Sequence, residues 1–133
     1  MEKPALGLTV LLHHDFETAQ QRVTEALKNE GFGVLTEIDV KATLKKKLDV
    51  DFRPYKILGA CNPPIAHQAL TAVPEIGLFL PCNVTLSYVD EQTTEVGIVD
   101  PMAMMSFMQN PALDSLAQDA ADRLQRVKEA LES

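Results

Sequence analysis

Hydrophobic and polar positions alternate near the start of the chain, where Leu6, Leu8, Val10 and Leu12 interleave with Gly7, Thr9 and Leu11. This pattern predicts a strand with one strongly buried face. Asp15 then offers a helix cap, and Phe16, Ala19, Val23, Ala26 and Leu27 form a stripe at helical spacing. That helix should stop near 29–31, where Gly31 can adopt a left-handed turn. Val34, Thr36, Ile38 and Val40 alternate as a second strand, and a short helix with a thin apolar face follows around 42–48. Tyr55, Ile57 and Gly59 mark one face of a third strand, and Ile65, Ala66, Ala69, Leu70 and Val73 stripe the helix after it. Cys82, Val84, Leu86 and Tyr88 share a face of the fourth strand. A polar turn at 90–94 leads to Val96 and Ile98 in the fifth. Strands joined this closely form an antiparallel hairpin. Pro111 opens a last helix, in which Leu113, Leu116, Ala117, Ala120, Leu124, Val127 and Leu131 hold the helical period.

Together these elements predict an α+β fold: a mainly antiparallel sheet of about five strands with two long helices on one face. The element order is approximately β-α-β(4)-α with short extra helices. The helix between the third and fourth strands leaves two connections open, a parallel crossover or an interrupted antiparallel one. No repeat, linker or low-complexity tract divides the sequence, so residues 1–133 are expected to form one domain.

Composition narrows the functional classes. Of 133 residues, 46% are hydrophobic and 23% charged, a balance that buries a core without disulfides or metals. Twelve basic against nineteen acidic residues leave a formal charge of -7, which repels phosphate backbones. No nucleic-acid partner is expected. The apolar stretch at 5–12 is too short to span a bilayer and lacks the features of a signal peptide. Two cysteines make no disulfide framework. The expectation is a soluble cytoplasmic protein with no membrane partner.

Candidate chemistry gathers around the stretch "YKILGACNPPIAHQAL" at 55–70. Strand parity places Cys61 with Ile57, and Cys82 with Val84 and Leu86, so both thiols are expected on apolar faces at one end of the sheet. They could form a redox pair or two soft metal ligands. Small buried hydrophobes are the commoner role for free cysteines. Asn62 is a good helix cap, and Pro63 and Pro64 deprive the helix mouth of N–H donors, which weakens any case for an acidified thiol or a phosphate cradle. His67 lies away from its helix's apolar stripe and reads as a surface residue. His14 shares the parity of Leu12 and is the better candidate ligand of the His13–His14 pair.

Met102, Met104, Met105 and Met108 crowd the connection before the last helix. With a cysteine they could offer soft ligands to Cu(I), although flexible packing is their usual role. Lys41, Lys45, Lys46, Lys47, Arg53 and Lys56 supply half of the twelve basic residues. A solvated helix end explains them, and an anion site or docking surface is the alternative.

The stretch already quoted, followed by "GLFLPCNVTLSY" and "VGIVDP" and preceded by "GFGVLTEIDVKATLKKKL", resembles the domain of unknown function family 302 over nearly the whole chain. The resemblance implies an α+β, TATA-box-binding-protein-like shape, often seen as a homodimer. It brings no reaction, cofactor or catalytic residue. It does emphasise Cys61, Asn62, Pro63, Cys82, Asn83, Asp100 and Pro101.

The functional expectation is a dimeric, sensor-like binding protein whose small ligand or metal sits near Cys61 and Cys82. Cys61, Asn62, Cys82, Asn83, Asp100 and Met104 are the candidate ligand residues, and Cys61, Cys82 and His14 the candidate metal ligands. A thiol-dependent enzyme using Cys61, with or without Cys82, is one alternative. An interaction module using the methionine or lysine segment is another. The cofactor is unknown on any of these readings.

Overall fold

A computed structural model of the protein describes residues 6–105 and 108–133. The predicted apolar stretch at 5–12 begins, and the methionine connection continues, through residues outside that range. Among the described residues, five strands pair antiparallel throughout: β1 (Gly7–Leu12), β2 (Gly33–Asp39), β3 (Tyr55–Cys61), β4 (Cys82–Asp90) and β5 (Thr93–Val99). Their order in the sheet is β1-β5-β4-β3-β2. The expected β4–β5 hairpin forms, with Val84 opposite Ile98 and a tight turn in which Gln92 N donates to Asp90 Oδ1 at 2.8 Å. The open connection resolves as antiparallel, since β4 lies directly beside β3.

The helices are α1 (Phe16–Asn29), α2 (Val40–Leu48), α3 (Pro63–Ala72), α4 (Pro101–Met105) and α5 (Pro111–Glu132). A 3-10 helix, Pro74–Phe79, follows α3. Side-chain caps start each of the longer ones. Asp15 accepts from Thr18 N at 3.0 Å, Asp39 from Ala42 N at 2.9 Å, and Asn110 from Ala112 N at 2.9 Å. The end of α1 is a Schellman turn: Phe32 N donates to Leu27 O and Gly31 N to Lys28 O, with Gly31 at φ 86°. Glycine is required there, because a Cβ would also lie 2.9 Å from Asn62 Nδ2.

Helices α1 and α5 cover one face of the sheet. Val23, Leu27, Leu58, Val84, Leu86, Val96, Ile98, Leu124 and Val127 bury almost completely between them. A second, smaller cluster of Ala69, Ile76, Met105, Leu113 and Ala117 lies beyond the sheet's end. The opposite sheet face carries exposed or half-exposed Thr9, Thr85, Ser87 and Glu95, as expected for an antiparallel sheet solvated on one side.

One face is decided only by packing, and one differs from that predicted. On β3 the helix-covered side takes Leu58 and Ala60, while Tyr55 and Ile57 are half-exposed. The strand is apolar at both parities after Lys56, so alternation alone did not separate its faces. On β2 the predicted alternation breaks. Val34 pairs with Ala60 but Thr36 pairs with Gly59, leaving Leu35 as the extra residue of a β-bulge. Val34 therefore packs on the core while Thr36 and Ile38 turn outward, and Val40 opens α2 rather than ending the strand.

Candidate functional site

The cavity of interest sits at the seam between the two apolar clusters. Its floor is the end of the β3–β4 ladder, where Ala60 pairs with Cys82. One wall is α3, with Ile65, Ala66 and Ala69, and the facing wall is the first half of α5, with Leu113, Ala117 and Ala120. Ile76 of the 3-10 helix closes one end, and Met104 and Met105 of α4 another. Alanines at facing positions of α3 and α5 leave the room that leucines would fill. The volume is about 320 Å³, far larger than the water-sized voids of ordinary interiors. No charged side chain lines it among the described residues.

Cys61 and Cys82 both line this cavity. Cys82 points with Val84 and Leu86 toward the helices, as its parity predicted. The predicted apolar face for Cys61 needs correction: Ala60, not Cys61, stands opposite Cys82 on the core side. Cys61 is partly buried where the strand turns into α3. Burial raises the pKa of Cys82 from 9.0 to about 11, and the neighbouring Cys61 adds to the rise. A partly buried thiol with so high a pKa is neutral at pH 7 and is a poor nucleophile.

Asn62 is buried and lines the cavity, with its polar atoms already engaged. Its Oδ1 accepts from Ile65 N at 3.2 Å, capping α3, and its Nδ2 donates to Glu30 O at 3.5 Å. Arg123 Nη1 donates to the same carbonyl at 3.1 Å, and Arg126 Nε pairs with the Glu30 carboxylate at 2.9 Å. Asn62 thus ties the start of α3 to the end of α1 and, through Glu30, to α5.

Met104 lines the cavity as well. Two other candidates do not. Asn83 pairs with Gly59 and is exposed on the uncovered sheet face, because it lies one residue out of phase with Cys82 and Val84. Asp100 caps α4, its Oδ1 accepting from Met102 N at 2.9 Å, and borders a separate depression with Leu8 and Gln118.

His14 requires a correction too. It follows Leu12, which pairs with Thr94 at the end of the sheet opposite Cys61 and Cys82. Its carbonyl accepts from the buried Thr94 Oγ1 at 3.1 Å. The antiparallel run of β1 thus carries His14 away from both thiols. Among the described residues, no group of three or more His, Cys, Asp or Glu is placed to hold a metal ion.

His67 is exposed, as its position on the helix predicted. The lysine segment has partners within the chain. Lys45 pairs with Asp49 at 3.0 Å and Lys56 with Glu37 at 3.0 Å, and the Arg53 guanidinium lies over the Phe52 ring. Met105 is buried in the second cluster, and Met102, Met104 and Met108 pack against it.

Sequence reasoning missed the walls. Leu35, Leu70 and the alanines of α3 and α5 all line the cavity. The available signal was the run of small residues on both helical stripes, which predicts close packing as readily as an opening. No helix among the described residues is long and apolar enough to cross a membrane.

The sequence model of the family described as Domain of unknown function DUF302 matches residues 8–131. The chain is also similar to a solved structure, the "Crystal structure of uncharacterized conserved protein DUF302 from Bacillus stearothermophilus". The two share 33% sequence identity and a TM-score of 0.85, over 96% of this chain and 98% of that one. No curated protein matches the chain.

Proposed function

The chain belongs to the DUF302 family, and from that premise we propose that it is a binding protein for a small, neutral, apolar molecule held between α3 and α5. One observation carries this reading: a cavity of about 320 Å³, lined without charge, gathers both cysteines and Met104 at the seam of two cores. Ligand sites are typically apolar clefts of roughly this size or larger, with few polar groups. The high pKa of Cys82 sets a reading in which Cys82 is the attacking thiol behind it. We also read the protein as a single domain working as a homodimer of TATA-box-binding-protein-like shape. That shape carries no DNA binding, because folds do not fix function.

The test is titration with N-phenyl-1-naphthylamine, a neutral probe that fluoresces in apolar surroundings. Saturable binding is expected for the natural chain and at least tenfold weaker binding for Ala117→Leu, which fills the cavity from α5. Equal binding by both proteins, or none by the natural chain, contradicts the proposal. Light scattering tests the dimer separately.

A further inference from the structure

The sheet face that the helices leave uncovered is built of rows across the strands. One row runs through all five: Thr9, Gly97, Thr85, Ile57 and Ile38 stand opposite one another in turn. No member carries charge. A Cβ at Gly97 would lie 2.6 Å from Thr85 Oγ1, so the threonine leans over the glycine and the centre of the row is flat. The next row is Leu11, Glu95, Ser87 and Tyr55. Its one carboxylate is offset by Arg53, whose Nε donates to Ser87 Oγ at 2.9 Å. Among the described residues, neither Glu95 nor Arg53 forms an ion pair within the chain. The two rows and Arg53 are neutral in sum, so the formal charge of -7 resides on the rest of the molecule.

Two copies of an acidic chain repel one another, and a neutral face is where they approach at least cost. Its size is adequate. Strands about 4.8 Å apart and from 6 to 9 residues long outline roughly 600 Å² across five strands. Two such faces hide roughly 1,200 Å², the lower end for a specific interface. Leu11 and Ile38, 54% and 49% exposed, stand on the two edge strands. We propose, on the reading that the protein is a homodimer, that this face is the interface, packed on the same face of a second copy about a twofold axis along β4. Because β4 is the central strand, that axis lays β1 with Leu11 on the partner's β2 with its Ile38. It also lays β5 with Glu95 on the partner's β3, beside the partner's Arg53. Each carboxylate then meets a guanidinium, twice over. Sheets packed face to face with strands within about 30° of one another are an ordinary arrangement, and a twofold makes the contact self-complementary.

Sedimentation equilibrium of the full chain and four variants tests this, with circular dichroism confirming that each variant is folded. Thr85→Lys sets two like charges beside the axis and should weaken dimerisation at least a hundredfold. Glu95→Arg and Arg53→Glu should each weaken it about tenfold, and the two together should restore it, which no loss of fold can imitate. Leu78→Lys, at an 85% exposed position on the 3-10 helix, should leave it unchanged. A dimer that persists in Thr85→Lys, or dissociates in Leu78→Lys, overturns the inference and leaves the homodimer reading standing. Failure of the double variant to restore association overturns the twofold along β4. A natural chain that sediments as a monomer at every concentration ends the homodimer reading and this interface with it.

Discussion

The thiol of Cys82 shares the helix-covered face with Val84 and Leu86, and burial there pushes its pKa from 9.0 to about 11. The folded protein therefore holds this proton more tightly than the unfolded chain does. The resulting stability is fully present below pH 9 and is lost as the pH rises through about 11. A shift of this size corresponds to roughly 2–3 kcal/mol. Urea unfolding of the natural chain should weaken between pH 9 and 11 by about that much more than unfolding of Cys82→Ala. Identical pH profiles would contradict the burial of the thiol. Asn62 offers a second test. Because its side chain caps α3 and also holds Glu30 O, Asn62→Ala should cost about 1–2 kcal/mol, read as a lower urea midpoint at unchanged slope. Asn62→Asp keeps the cap acceptor and loses the donor, so it should fall between the two. If Asn62→Ala unfolds at the natural midpoint, the residue does not join α1 to α3.

Periodicity located all five strands and both long helices, and β1, β4, β5, α1 and α5 each bury one face and expose the other. The stripe of α5 is the clearest case: Leu113, Ala117, Ala120, Leu124 and Val127 are all buried. Reading faces was harder where that contrast fades. β3 is apolar at consecutive positions from Ile57 to Cys61, and only the packing of Leu58 and Ala60 under the helices shows which side is inner. The bulge at Leu35 was illegible for a related reason, since an inserted residue shifts the parity of β2 without a glycine or proline to mark it. At this scale the alanines of α5 carry a prediction. Ala117→Leu places apolar volume in open space rather than in a packed core, so it should stabilise the protein by about 0.5–2 kcal/mol. Overpacking a filled site would instead destabilise by about 1–3 kcal/mol. The sign of the change in urea midpoint decides between them.

Across the whole molecule, two apolar clusters meet imperfectly, and the gap between them is the candidate site. Sequence reasoning reached the floor of that gap through Cys61, Asn62 and Cys82, because strand ends and a helix cap can be located from local pattern, and one end of it through Met104. It placed Asn83 and Asp100 there too, since residues adjacent in sequence to a site need not face it. The walls depend on how α3, α4 and α5 pack beyond the sheet, and no local pattern encodes that distance. The four methionines after Asp100 now serve as reporters. Met104 and Met105 line the cavity, while Met102 borders the depression on its other side. The most direct measurement is NMR of the protein labelled at its methionine methyl groups, titrated with 1-decanol. The account predicts saturable shifts that are largest at Met104 and Met105. Methyl resonances unmoved up to the solubility limit, or shifting most at Met102, would contradict a binding cavity between α3 and α5.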